Sequence, residues 1–315
     1  MAYPVVGGRP NYSGNFIPEI WSGKLIENFY DATVLAAVSN TDYEGEIRQF
    51  GDTVNIRQTP EITIRDYVKG QALTVENPDK PKIQLLIDKG EYFACVEDDV
   101  DRVQSDIALM DEWSKDASER MKIKIDTRVL PNIAAGADAF NAGANAGKQS
   151  GAFDLGTNAD PLVITKDGSG GSTSVIDLIV DMGTVLDENN VPEDNRYLII
   201  PARMAGLIKK SELKDASLTG DGTSVVRNGR LGMIDRFTLY VSHNLLNDTD
   251  ATGAGDGGVH VIAGHKYGFT FASQMTNMET IRSETTFGDI IRGLQVYGYK
   301  VVKPEAISSA IVRFA

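Results

Sequence analysis

The chain of 315 residues carries one cysteine, Cys95, and three histidines. A single cysteine excludes an internal disulfide and any multi-cysteine metal site, and it suits a reducing compartment or a protein indifferent to redox. His243, His260 and His265 have no cysteine beside them and no HExxH spacing, so they predict loop or surface imidazoles, not a metal centre. No run of about 18 apolar residues occurs, which removes the hydropathy signal of a spanning helix. The opening stretch, MAYPVVGGRPNYSGNFIPEIW, lacks a basic start followed by an apolar core, so no secretory signal is expected. Basic runs are also missing: the longest are pairs such as Lys209-Lys210, in a chain whose 31 basic and 44 acidic residues leave a net charge of −13. Gripping a nucleic-acid backbone needs clustered Lys and Arg, so specific DNA or RNA binding is disfavoured.

Catalytic patterns are scarce as well. GANAGKQ at 143–149 falls one residue short of a phosphate loop, and Gln149 stands where Ser or Thr is needed. GSGGST at 168–173 and GAGDGG at 253–258 fit no dinucleotide fingerprint and read as flexible loops. There is no GxSxG elbow, and Cys95 falls in an apolar stretch where a thiol is inert packing. The cluster Glu97-Asp98-Asp99-Asp101 lacks the alternating ligands, central Gly and distal Glu of a calcium loop. Acidic groups there suit a helix N-terminus, where they complement the macrodipole.

What is present is pattern. Hydrophobic content of 42% and charged content of 24% describe an ordinary globular chain, long enough for one large domain or two to three lobes. Residues 1–18 read as an extended arm, followed by a short helix with Ile20, Trp21, Leu25, Ile26, Phe29 and Leu35 near helical spacing. In GDTVNIRQTPEITIRDYVKG, 51–70, Val54, Ile56, Ile62 and Ile64 alternate with polar residues, and KIQLLID at 82–88 returns with Ile83, Leu85 and Ile87. A two-stranded ribbon is marginal alone, and nothing nearby in sequence obviously packs on its apolar face. EYFACVED, 91–98, is apolar on both faces, as a buried strand would be. From Val100 to Val129 apolar residues step by three and four, predicting a helix over about 99–130, ended or kinked by Pro131. Ser174 is placed to cap a helix bearing Val175, Leu178, Ile179, Met182, Val185 and Leu186. RYLIIP, RFTLYVS and VHVIAG then read as strands, with ARMAGLIKK a short helix, so about 174–264 looks like a lobe with its own core. The tail supplies strands near 294–302 and 307–314.

The order of these pieces resembles the HK97-type major capsid proteins of tailed bacteriophages, and most closely the coat family of short-tailed lambdoid phages. PEIWSGKLIENFYDATVLAAV, GDTVNI, IDKGEYFACVEDDV, YLIIP, GRLGMIDRFTLYVSHNL, FASQM and FGDIIRGLQVYGYKVVKPEAI carry the resemblance, over roughly 17–315. It implies an α+β chain with an N-terminal arm at 1–50 and an extended ribbon loop at 51–90. It also implies a peripheral domain at 91–165 and 271–315 with a spine helix, and an axial domain at 166–270. The immunoglobulin-like insertion that this coat family often carries has no room here. The ribbon would lie on a neighbouring copy, which would cover its apolar face, and arms of this kind enlarge heterologous contacts without enlarging the core. Trp21, Arg57, Ile62, Ile64, Arg65, Tyr67, Lys69, Lys80 and Lys82 become expected intersubunit residues, with Arg65 and Lys69 as ion-pair donors to the next subunit instead of cross-linkers. The resemblance implies a virion shell of pentamers and hexamers, scaffolding and portal partners, assembly in the host cytoplasm, and neither cofactor nor catalysis. The negative charge suits a container whose DNA must not adhere to the wall. An encapsulin-like nanocompartment shell is the nearest alternative. A soluble enzyme with a site between the 174–264 lobe and the long helix is the more distant one.

Overall fold

The computed structural model describes residues 5–6, 9–10, 33–42, 53–60, 62–72, 75–77, 82–99, 109–211, 232–247, 258–283 and 285–314. Its strands are β1 (Val5–Val6), β2 (Arg9–Pro10), β3 (Thr53–Arg57), β4 (Lys82–Leu86), β5 (Lys89–Asp98), β6 (Leu162–Thr165), β7 (Thr173–Ser174) and β8 (Arg196–Ile200). They continue with β9 (Met233–Ile234), β10 (Phe237–Val241), β11 (Val259–His265), β12 (Phe269–Arg282), β13 (Gly288–Val301) and β14 (Ile307–Phe314). The expected short helix bearing Ile20 to Leu35 falls mostly outside the described residues; what is described is one turn, Leu35–Val38, with Leu35 and Val38 buried.

A seven-stranded mixed sheet, ordered β7-β6-β14-β11-β8-β10-β9, forms the centre. β8 is buried along its whole length, and its alternation explains the layering. Leu198 and Ile200 point into a core shared with the Val175–Glu188 and Ala202–Lys210 helices. Tyr197 and Ile199 point the opposite way, into a core with Ile125, Val129, Leu130 and Ile133 of the long helix. The Val175–Glu188 helix starts where its sequence predicts, with the Ser174 hydroxyl accepting from the Ile176 N–H at 3.3 Å, and all six of its expected apolar residues are buried.

Three expectations change. The long helix, Leu109–Ala135, continues through Pro131, so of the two outcomes expected there, an end or a kink, the end does not occur, while residues 100–108 lie outside the described set. An interior proline costs roughly 3 kcal/mol. Leu130 and Ile133, both fully buried on either side of it, each return about 1.5–3 kcal/mol, so burial of the last turns wins. At about 1.5 Å per residue the described helix is roughly 40 Å long.

The second change concerns 91–98. β5 is the edge of a three-stranded sheet, β12-β13-β5, and its exposure alternates instead of vanishing, with Tyr92 80% exposed. Apolar residues on both faces marked an edge strand with one uncovered face, bearing Tyr92 and Val96, while Cys95 on the other face is half-buried.

The third is the tail. β14 lies between β6 and β11, so residues 162–165 and 307–314 share the sheet of the 174–264 segment. The seven-stranded sheet has no break at the division expected at 165; near 271 the chain does leave it, entering the three-stranded sheet at β12, and it returns at β14.

Candidate assembly surface

β3 and β4 pair antiparallel, with Thr53 opposite Leu86, Asn55 opposite Gln84 and Arg57 opposite Lys82. The even-numbered residues of β3 and the odd-numbered residues of β4 turn inward. Ile56, Leu85 and Ile87 pack on Ala272 and Val302, flanked by Val54, Ile83 and Val296. The base of the ribbon is therefore covered by its own chain, contrary to the expectation that only a second copy covers it. The partners are too distant in sequence for periodicity to find, lying more than 180 residues away in β12 and just past β13. Gln58 adds a link, its Nε2 donating to the Val302 carbonyl at 3.3 Å.

Beyond Arg57 no strand is found among the described residues up to Asn77, so Ile62 and Ile64 do not continue the β3 ladder. This tip folds back on itself. The Thr63 N–H donates to Glu76 Oε1 at 2.8 Å, Arg65 lies 3.7 Å from the same carboxylate, and a turn at Val68–Gln71 uses Gly70 at φ +88°. Arg65, expected to reach another subunit, is thus already associated with its own loop, through an ion pair long and exposed enough to contribute under about 1 kcal/mol. What the tip offers outward is apolar: Ile62, Ile64, Tyr67, Val68 and Val75 are all exposed, Ile64 at 90%. Lys69 is exposed beside them, as are Arg57 and Lys82 at the base, while Trp21 and Lys80 lie outside the described residues.

The three-stranded sheet carries a second apolar surface. Tyr92 stands opposite Leu294 and Val96 opposite Ile290, on the face that also bears the Arg292–Glu279 ion pair. Tyr92, Val96 and Leu294 are exposed. The other face meets the long helix, where Arg128 Nη1 donates to Glu91 Oε1 at 2.7 Å. Near the far end of the sheet Arg282 donates to Asp99 at 2.8 Å and Asp289 at 3.3 Å, so Asp99 serves a cross-strand ion network there, and Asp101 lies outside the described residues.

Two polar networks brace the frame and were not foreseen. Arg196, with a fully buried side chain, donates to the carbonyls of Pro192 and Val191 and to Asp187 at 2.7 Å; Asp187 also accepts from Arg236 at 2.9 Å. Asp235 and Arg236 both have positive φ, +43° and +65°, in the turn between β9 and β10, and the Arg236 bonds hold that strained turn. Asp126, on the buried side of the long helix, accepts the Val34 N–H at 2.8 Å and pins the 33–42 segment. Its sequence signal was its position beside Ile125 and near Val129, on the apolar stripe. The would-be phosphate loop holds a carboxylate: the backbone N–H groups of Gln149 and Ser150 donate to Glu188 Oε2 at 2.8 and 3.2 Å.

Among the described residues no group of three or more His, Cys, Asp or Glu could hold a metal ion, and no helix is long and apolar enough to cross a membrane. The arrangement provides contact surfaces: a projecting apolar tip, an uncovered sheet face and a cationic ribbon base.

These features, on this α+β frame, define a shell-building subunit of the HK97-type fold, and the comparisons with known proteins agree. A family model described as phage capsid protein matches residues 83–310, more than two thirds of the chain. The chain belongs to that family and is a major capsid protein, whose copies build the phage shell. A solved structure from Mycobacterium phage Che8 is similar with a TM-score of 0.75 and 27% identity, over 95% of this chain and 97% of that one. The capsid structure of cyanophage P-SCSP1u gives a TM-score of 0.71 at 16% identity, covering 99% and 97%. The capsid of a native GTA particle gives 0.65 at 14% identity, covering 96% and 97%. The last two, at such identities, bear on the fold alone. No curated protein matches the chain.

Proposed function

We propose that the chain builds its shell by laying the 51–90 ribbon on a neighbouring copy, with Ile62, Ile64 and Tyr67 as apolar contacts and Arg57, Arg65, Lys69, Lys80 and Lys82 as polar ones. Trp21, in the arm, joins the same contact set. The observation that carries this reading is the exposed apolar tip. Five large side chains between Ile62 and Val75 face solvent on a loop whose only described internal ties are Glu76 and one turn. Burying each would contribute about 1.5–3 kcal/mol. Several together are needed to offset the roughly 4–15 kcal/mol of lost freedom on association.

In this reading residues 91–135 with β12 and β13 act as the peripheral domain, and the seven-stranded sheet with its two helices acts as the axial domain. Pentamers and hexamers close an icosahedral head around the phage DNA, with scaffolding and portal proteins as partners during assembly in the host cytoplasm. Within the family the coat proteins of short-tailed lambdoid phages are the nearest kin. The chain works through contacts and needs no catalysis or cofactor.

Negative-stain electron microscopy of the purified protein, with and without deletion of 66–80, tests the arm. Shells from the intact chain and malformed or absent shells from the deletion are expected. A monodisperse small oligomer from both would sink the reading.

A further inference from the structure

Arg57 and Lys82 stand directly opposite each other in the β3–β4 register, both exposed. Like charges placed so destabilise a strand pair. Lys300 adds a third positive charge, because Lys82 and Lys300 line one open groove of about 590 Å³ together with Thr53, Ile83, Gln84 and Leu86. The surroundings make this unusual. In the neighbouring strands and the long helix most cations are matched within the chain: Lys89 to Asp88, Lys115 to Glu112, Arg120 to Asp116, Lys122 to Glu119, Arg128 to Glu91, Arg282 to Asp289 and Arg292 to Glu279. No carboxylate among the described residues pairs with Arg57, Lys82 or Lys300. A chain of net charge −13 with 44 carboxylates has ample means to neutralise three clustered cations and does not do so here.

We infer that the outer face of the ribbon base, built by Arg57, Lys82 and Lys300 with the Asn55–Gln84 amide pair between the strands, is a dock for carboxylate side chains of a second copy of this chain. The inference rests on the reading that copies assemble through the ribbon, and it names the chemistry of the partner. Copies that each carry −13 repel one another, so a contact between them requires local positive surface where the acidic surface of the next copy arrives. The occupant is a protein carboxylate, not a phosphate. Two lysines lining a groove with Ile83 and Leu86, and Arg57 opposite one of them, make a short patch, with no track of basic residues and no aromatic side chain in the lining for stacking a base. The like-charge pair that weakens the isolated ribbon becomes favourable only when the anion is seated. The base then prefers the assembled state.

The test uses the full chain. Isotopically light and heavy subunits are purified, mixed, assembled and treated with a zero-length carbodiimide, which joins lysine amines to carboxylates already in contact. Amide cross-links from Lys82 or Lys300 to Asp or Glu of the opposite isotope are expected. The variant K82E/K300E, which sets a carboxylate opposite Arg57 in place of a like charge, is expected to match or slightly exceed the wild-type thermal midpoint yet lose about tenfold in shell yield, with the yield of K82Q/K300Q between that variant and the wild type. Shells that form normally in K82E/K300E, or cross-links confined to one isotope, overturn the dock and leave assembly through the apolar tip intact. A defect that appears only when DNA is packaged overturns it in favour of a phosphate ligand. Failure of the wild type to form shells removes the underlying reading and the dock with it.

Discussion

Gly298 lies so close beneath the ribbon that a Cβ at that position would stand 2.3 Å from the Leu86 carbonyl oxygen. The obstructing atom belongs to the backbone, so an added methyl must move the strand and cannot simply displace a side chain. Gly298→Ala is expected to lift β4 off β13 and cost about 1–3 kcal/mol, as overpacking does. Chemical denaturation gives the cost, and faster amide exchange at 82–86 than in the wild type gives its location. Unchanged exchange there would show that the ribbon is not seated on β13.

Leu85 and Ile64 separate the two halves of the ribbon. Leu85 is fully buried against the subunit's own core, so Leu85→Ala is expected to destabilise the subunit by about 2–5 kcal/mol. Ile64→Ala, at an exposed site, is expected to change subunit stability by under about 0.5 kcal/mol while lowering shell yield. Denaturant midpoints and shell yields measured on both variants check the contrast. A stability loss at Ile64 as large as at Leu85 would mean that the tip also packs on its own chain.

Pro131→Ala should stabilise. Alanine restores an N–H to the helix, and removing an interior proline is worth up to about 3 kcal/mol. The greater freedom of the unfolded alanine chain takes back about 0.4–1 kcal/mol. A net gain of about 1–2 kcal/mol, seen as a raised denaturation midpoint, is the expected result, and a drop would show that the helix needs the proline's geometry.

Asp187 gives the acid limb. Burial alone would raise its carboxyl, but hydrogen bonds from Arg196 and Arg236 outweigh burial and hold it below its usual value of 3.8. A carboxylate depressed on folding contributes stability that is complete above its unfolded value and lost as the pH falls through the folded one. Wild-type stability should therefore decline below about pH 4. Asp187→Asn should be less stable at neutral pH by about 1–3 kcal/mol, because the buried Arg196 guanidinium keeps its carbonyl partners but loses its half-exposed anionic one. It should also show a flatter acid limb. Stability curves from pH 2.5 to 7 decide it, and parallel curves for the two proteins would dismiss the ion pair as the cause.

Local chemistry was legible where one segment contained the whole reason for its structure. The Ser174 cap and the apolar stripe behind it predicted a helix that forms with those residues buried. Alternation in 51–70 and 82–88 predicted a ribbon, of which 53–57 and 82–86 pair, and the run RYLII reads as a strand that is fully buried. The misreadings share one cause. The apolar residues of 91–98 read as burial on both faces, but whether a face is covered depends on what lies against it, and Tyr92 faces solvent. Pro131 read as a stop or a kink because a proline's local penalty is visible in sequence; the core that carries the helix past it is not.

The sequence by itself determined the periodicities, the caps, the acidic surplus and the absence of chemistry-bearing motifs, because each is a property of residues near one another in the chain. Only the tertiary structure decided that Val302 and Ala272 cover the ribbon base, that β14 lies in the central sheet between β6 and β11, and that Lys300 lines one groove with Lys82. Those pairings join residues far apart in sequence, whose choice rests on summed packing free energies that no local pattern encodes.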